Sequence, residues 1–180
     1  MKNANKKFTD TDVRVNCRLS YAHLFTPRAM EGGDPKYQAT LLIDKNDTQA
    51  VQLIRDAEAA ARKLFVEKFG KVSGKLKTVV YDGDEDFPED ANCENKLVVR
   101  ASSKTQPGLK VLDSGMLVDA LDDSDLYSGC YAAVEINFFP YSAPSSKGIS
   151  AGLNNVLKLE DGERLGGGSR SADDAFGNLC

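Results

Sequence analysis

Between Cys130 and Tyr141 the chain alternates without interruption, and that alternation commits it to a long, two-faced β-strand. Cys130, Ala132, Val134, Ile136 and Phe138 fall on one side, and Tyr131, Ala133, Glu135, Asn137, Phe139 and Tyr141 on the other, because successive strand side chains point to opposite faces of a sheet. The first set suits a core. The second mixes three rings with polar groups. Rings on a half-exposed sheet surface are what a binder of single-stranded nucleic acid needs, since every base has a π-face to stack on. A strand buried on both faces would show the same pattern, and periodicity does not choose between the two.

The rest of the chain supplies partners for this strand. Val13, Val15, Cys17, Leu19 and Tyr21 alternate with Arg14, Asn16, Arg18 and Ser20, an amphipathic strand. A loop with Pro27, Gly32, Gly33 and Pro35 leads to a strand over Tyr37–Asp44, with Tyr37, Ala39, Leu41 and Ile43 on one face. Asp47 is placed to cap a helix of about 22 residues, its carboxylate accepting from the free N–H groups of the first turn. Val51, Ile54, Ala57, Ala61, Leu64, Phe65 and Phe69 form the helix's apolar stripe and Gly70 ends it. Further strands are expected near 77–81, 96–103, 109–113 and 149–159. Gly148 and Gly152 interrupt the last of these, which marks a barrel corner or a close approach by a partner strand or by a DNA backbone. Several strands with one long helix inserted early suit a small barrel or an α+β sheet.

Three segments follow from composition: a polar, flexible N-terminus over 1–12, one folded domain over 13–165, and a flexible acidic tail over 166–180, where GGGSRSADDAFGNLC has too little apolar surface to fold. No apolar run approaches a membrane span and the start lacks the apolar stretch of a signal peptide. A cytosolic protein is expected, with no membrane partner.

The net charge of −4 looks wrong for a nucleic-acid binder until it is divided along the chain. Asp82–Glu94 holds seven acidic residues and no basic ones, and 160–180 holds five acidic and two basic. Setting both aside leaves 15 acidic against 21 basic residues, so the body carries about +6. Phosphate binding depends on local surface charge, so a negative total does not exclude it.

Catalytic chemistry finds no support. His23 is the only histidine, no Cys–His signature surrounds any of the four cysteines, and neither a P-loop nor a GxSxG elbow is present. Cys17, Cys93, Cys130 and Cys180 form no CxxC pair, which argues against structural zinc; Cys17 and Cys130 fit a core. DGDEDF resembles the start of an EF-hand loop, but Phe87 and Cys93 stand where glycine and glutamate are required. The acidic run is expected to be a solvated loop. No cofactor or metal is implied.

The cations make a better case. Arg28 lies in the Gly/Pro-rich loop and Lys36 directly before a strand. Arg100 and Lys104 share parity on the strand from Lys96, and Lys110 and Lys147 lie in or near turns. Flexible cations near strand ends, beside rings, make an electrostatic groove with a stacking floor. The expected nucleic-acid-binding set is Arg28, Lys36, Tyr37, Arg100, Lys104, Lys110, Tyr131, Phe139, Tyr141 and Lys147.

The blocks KYQATLLIDK, YDGDED, VVRASSKTQPGLKVLD, YSGCYAAVEINFF, KGISAGLNNVLKL and DGERLGGG occur in this order. Together they resemble a family of phage-encoded single-stranded-DNA-binding proteins with an OB-type fold, over roughly 13–168. The resemblance implies a mainly β, α+β fold: an OB-like five-stranded barrel with an inserted helix and an extra hairpin. It also implies non-catalytic, sequence-independent binding of single-stranded DNA in phage replication or recombination, in the host cytoplasm. Asp173, Asp174 and Phe176 resemble the acidic, aromatic tails with which many such proteins recruit partners, here a phage polymerase, recombinase or exonuclease, although GNLC follows the ring. A homodimer is a further candidate assembly. The alternative function is that of a phage structural or adaptor protein docking another protein on its aromatic sheet face.

Overall fold

The computed structural model describes residues 1–29, 33–72 and 74–165. The tail positions Asp173, Asp174 and Phe176, and Cys180, lie outside them. The described elements are β1 (Lys6–Lys7), β2 (Asp12–Arg28), β3 (Lys36–Asp44), α1 (Thr48–Phe69), β4 (Val80–Asp82), α2 (Gly83–Asp86), a 3-10 turn (Ala91–Cys93), β5 (Lys96–Ser103), β6 (Gly108–Asp113), β7 (Met116–Asp119), β8 (Tyr131–Ala143) and β9 (Ser146–Glu160).

Five strands close on themselves in the order β5–β3–β2–β8–β9, and a parallel bridge between Ser102 and Gly152 joins β9 back to β5. The other four pairings around the ring are antiparallel. This is an OB-type barrel with α1 inserted between its second and third strands. The alternation around Cys130 is why it closes: Ala132, Val134, Ile136 and Phe138 are buried in the same cluster as Val13, Val15, Leu19, Leu41, Ile43, Val99 and Leu153. Outside the ring, β4 pairs with β5, while β6 and β7 form the extra hairpin, docked through β6 on β9.

α1 starts where β3 ends and packs against β8, β2 and β9. Asp47 caps it, accepting from the Ala50 N–H at 3.1 Å. Gly70 ends it with φ 84°, a left-handed conformation that a side chain would strain. Ala50, Ile54, Ala57, Ala61 and Phe65 are buried against the barrel core. The covered stripe is narrower than expected: Leu64 and Phe69 are exposed. The three alanines let the helix lie close to the strands, so only one narrow face reaches the core.

Two further expectations change. Residues 1–12 lie along β2 instead of standing free. Lys6 and Lys7 pair with Arg14 and Val13, the Ala4 N–H donates to Asn16 Oδ1 at 2.9 Å, and Asn5 Nδ2 donates to both Asp47 carboxylate oxygens at 3.1 and 3.0 Å. A polar composition hides such ties because they are hydrogen bonds, not apolar contacts. The strict alternation of β2 breaks after Leu19. The pairing slips between Ser20 and His23, Tyr21 takes φ 46°, and Leu24 becomes the next buried residue. Tyr21 is thereby turned out of the core and is 65% exposed.

The acidic stretch is folded, not a solvated loop. Asp82 caps α2 by accepting from the Asp84 and Glu85 N–H groups, Asp90 caps the 3-10 turn, and the Asn95 N–H donates to Asp84 at 2.9 Å. Lys45 Nζ joins Asp82 and Asp84 at 2.8 and 2.6 Å. Gly148 and Gly152 prove to be places of close approach within the barrel. A Cβ at Gly148 would run into the Lys77 carbonyl, and one at Gly152 into the Asn137 side chain. Cys17 and Cys130 are buried, and burial pushes both thiols up, away from thiolate chemistry.

Candidate nucleic-acid interface

The outward side chains of β2, β3 and β5 line up in rows across three strands. Ser20 lies opposite Thr40, and Thr40 opposite Arg100. His23 lies opposite Gln38, and Gln38 opposite Ser102. At the end of the β2–β3 hairpin Arg28 pairs with Lys36, and because Tyr37 pairs with Ser103, Lys104 falls next to Lys36 just beyond the strand. Three cations therefore sit abreast at one rim of the barrel. Arg28 Nη1 lies 3.3 Å from His23 Nε2. Burial and the Arg28 charge both push the imidazole pKa down, so His23 is neutral at pH 7 and accepts from the guanidinium.

The other half of this face is covered. Leu42 and Val98, outward on β3 and β5, are buried with Cys93 beneath Tyr81, Phe87 and Leu165. The folded acidic stretch thus forms a lid over the lower face, and Arg100 marks its edge. The Arg100 guanidinium lies 5.1 Å from the Tyr81 ring centroid and 5.5 Å from that of Phe87. The two rings meet edge-on at 5.6 Å. Stacking on aromatic faces holds a guanidinium in place while leaving its N–H fork free for a phosphate. Two of the lid carboxylates are engaged elsewhere: the hydrogen bonds from Lys45 hold Asp82 and Asp84 below the usual carboxylate range.

Beside the rows a groove of about 760 Å³ runs along the outer side of β2, with Tyr21, His23, Arg28, Tyr127 and Arg164 in its walls. Arg164 lies 4.4 Å from the Tyr127 centroid, and the Tyr127 hydroxyl donates to Asp161 at 2.6 Å. The exposed Tyr21 ring and the half-buried Tyr127 ring beside cations suit part of this trough to an unstacked base, while Asp90, Asp122 and Asp123 also line it.

Phe139, Tyr141 and Lys147 form a second group at the β8–β9 hairpin. Phe139 lies opposite Ser150 and is 41% exposed, and Tyr141 lies opposite Gly148 with its hydroxyl 3.0 Å from Ser146 Oγ. The strand directions put this group at the end of the barrel away from Arg28, Lys36 and Lys104. Tyr37 has the inward parity of Ala39 and Leu41 and is half-buried at the barrel mouth. Tyr131 stands apart, half-buried with the Arg18 guanidinium 5.5 Å from its ring. Lys110 also stands apart, paired with Asp119 across the β6–β7 hairpin. Tyr21, Tyr81, Phe87 and Tyr127 are aromatic positions that sequence reasoning missed. Only the spacing of YDGDEDF carried a signal, since it places two rings on either side of a helix-capping aspartate.

The family of the single-stranded-DNA-binding protein of Enterobacter phage Enc34 matches residues 11–179. The chain belongs to this family. Protein p50 of Acyrthosiphon pisum secondary endosymbiont phage 1 is 31% identical over 173 residues, 91% of each chain. The structure of the bacteriophage Enc34 protein in complex with single-stranded DNA superposes with a TM-score of 0.77 at 28% identity, covering 92% of this chain and 99% of that one. A second structure of the bacteriophage Enc34 single-stranded-DNA-binding protein gives a TM-score of 0.72 at 29% identity, covering 98% of this chain and 99% of that one. Gp2.5 of bacteriophage T7, at 13% identity and TM-score 0.55 over 89% and 97% of the two chains, shares the fold.

Proposed function

We propose that this chain binds single-stranded DNA without base selectivity and coats it during phage replication or recombination, in the host cytoplasm. The observation that carries the reading is the row Arg28–Lys36–Lys104 with Arg100 behind it, on the open part of the outer β2–β3–β5 face. OB barrels use this face for oligonucleotides. A cation on a phosphate carries no base information, and the neighbouring rings accept any base. Phe139, Tyr141 and Lys147 extend the track to the far end of the barrel. Tyr131 and Lys110, each already engaged within the chain, contribute less. The membership of a family described by single-stranded-DNA binding supports this over an adaptor role. Among the described residues no helix is long and apolar enough to cross a membrane.

The tail completes the proposal. Asp173, Asp174 and Phe176 recruit a replication or recombination enzyme of the phage and compete with DNA for the basic rows. Removing 166–180 then raises affinity at low salt, and the gain shrinks as salt screens the charges. Titration of oligo-dT, followed by tyrosine fluorescence at several salt concentrations, tests the central claim; the chain has no tryptophan to obscure the signal. Quenching with a steep salt dependence is expected. Absence of binding at low salt would overturn it.

A further inference from the structure

Two apolar patches stand exposed at opposite ends of the barrel, and neither is used by the rows described above. The first is the β6–β7 hairpin. β6 runs parallel to β9 from Gly108 beside Asn155 to Lys110 beside Leu157, so its tip projects past the end at which β9 finishes. Ser114 and Gly115 form a tight turn with φ 50° and 80°. Leu112 and Leu117 are a cross-strand pair just behind it. Met116 is 67% exposed, Leu117 61%, and Leu121, in the following loop, 82%. The second patch is the C-terminal end of α1, where Val66 and Phe69 are exposed together on one flank of the buried stripe and Leu64 on the other. α1 lies at the other end, following the last residue of β3 and leading back through Lys77 to Gly148 near the start of β9.

Charge distinguishes the two. From Leu109 to Asp125 the hairpin and the loop after it carry Asp113, Asp119, Asp122, Asp123 and Asp125 against Lys110, which pairs with Asp119, a charge of −4. From Lys63 to Lys77 it carries Lys63, Lys68, Lys71, Lys75 and Lys77 against Glu67, a charge of +4. One patch is apolar with an acidic rim, the other apolar with a basic rim.

We propose that these two surfaces bind each other in trans: the hairpin of one copy docks on the α1 end of the next. Such a contact is heterologous, and with the two surfaces at opposite ends it propagates beyond a dimer, as a chain of copies or as a ring where the rotation between neighbours closes. Apolar centres with complementary charged rims supply both the burial and the orientation. Two hairpins meeting each other, or two helix ends, would instead oppose like charges. The consequence for coating a strand, that copies bind side by side with contacts between neighbours, rests on the single-stranded-DNA reading; the contact itself does not.

The test is sedimentation of the full chain without DNA, up to millimolar concentration, for the parent, Leu117→Arg and Phe69→Glu. Both sites are exposed, and unfolding midpoints check that each variant folds. The parent is expected to grow with concentration beyond a dimer, and each variant to associate about tenfold more weakly or less. An equimolar mixture of the two variants is expected to form a mixed dimer, because the intact hairpin of Phe69→Glu meets the intact helix end of Leu117→Arg. A parent that stays monomeric, or variants that each self-associate like the parent, or a mixture with no mixed species, would overturn the proposal. Binding of a short oligo-dT that holds one copy separates the two readings. It is expected to be unchanged in both variants, and a loss in Phe69→Glu would assign the helix end to DNA instead of to a second copy.

Discussion

Arg100→Ala is the perturbation for which the structure gives a number on two independent axes. The guanidinium touches both rings of the lid, at 5.1 and 5.5 Å from their centroids, and projects from the row that includes Thr40. Losing an exposed cation–π contact costs about 0.5–1 kcal/mol of stability. Losing one phosphate contact lowers the salt slope of single-strand binding by about 0.7. At roughly 0.15 M salt, that slope change corresponds to about a fourfold loss of affinity, and the deficit grows as salt is lowered. Urea unfolding reads the first quantity, and tyrosine-fluorescence titrations of dT, dA and dC homopolymers at four or five salt concentrations read the second. Arg100→Lys separates them, because it keeps the charge but not the planar stack: the slope is expected to return, and the stability only in part. The same proportional loss is expected for every homopolymer. An unchanged slope in Arg100→Ala, alongside reduced stability, would make Arg100 a clamp for the lid and nothing more. A loss confined to one base would refute the phosphate assignment.

Three other outcomes are expected. Phe139→Ala and Tyr141→Ala each weaken single-strand binding by about 1–3 kcal/mol with little change in unfolding midpoint; parental affinity in both would take the β8–β9 hairpin out of the DNA track. Gly148→Ala lowers stability by about 1–3 kcal/mol, because the new methyl meets the Lys77 carbonyl and the neighbouring segment must shift; a variant as stable as the parent in urea would show that this approach is not close in solution. Lys45→Met reports on the lid through pH. The Asp82 and Asp84 pKa values are depressed in the fold by Lys45, and that of Lys45 is raised by them. Their contribution is therefore present above the unfolded carboxylate range and lost as pH falls through the folded values, and the lysine's is present below its unfolded value and lost as pH rises through its raised folded value. The stability gap between parent and variant is expected to be widest between about pH 5 and 9 and to close towards both extremes. A gap independent of pH would mean that the lysine acts through packing.

The parts of the fold that rest on local rules were legible in the residues. The alternation around Cys130 gave the long strand, Asp47 and Gly70 bounded the helix, and the strand from Lys96 to Ser103 was placed to the residue. What was hidden depends on contacts distant in sequence. The ties of the N-terminal segment are hydrogen bonds to Asn16 and Asp47, which no hydropathy pattern registers. Four of the seven acids of the lid, Asp82, Asp84, Asp86 and Asp90, are engaged by backbone N–H groups and by Lys45, which is 37 and 39 residues away from Asp82 and Asp84, and composition does not register such ties.

The interface divides along the same line. That Arg28, Lys36 and Lys104 were cations near strand ends could be seen in the chain, but that they stand abreast follows from the registers of β2 on β3 and of β3 on β5. Tyr21 shows the limit most sharply. Parity assigned it to the core with Val13 to Leu19, and one extra residue in β2 turned it outward into the groove beside His23 and Arg28. A bulge reverses every later assignment on its strand at once, so a site built beyond a bulge is not readable by counting from the strand's start. The rings that parity placed correctly, Phe139 and Tyr141, lie on a strand whose pairing with β2 holds register from Asp12 to Arg18.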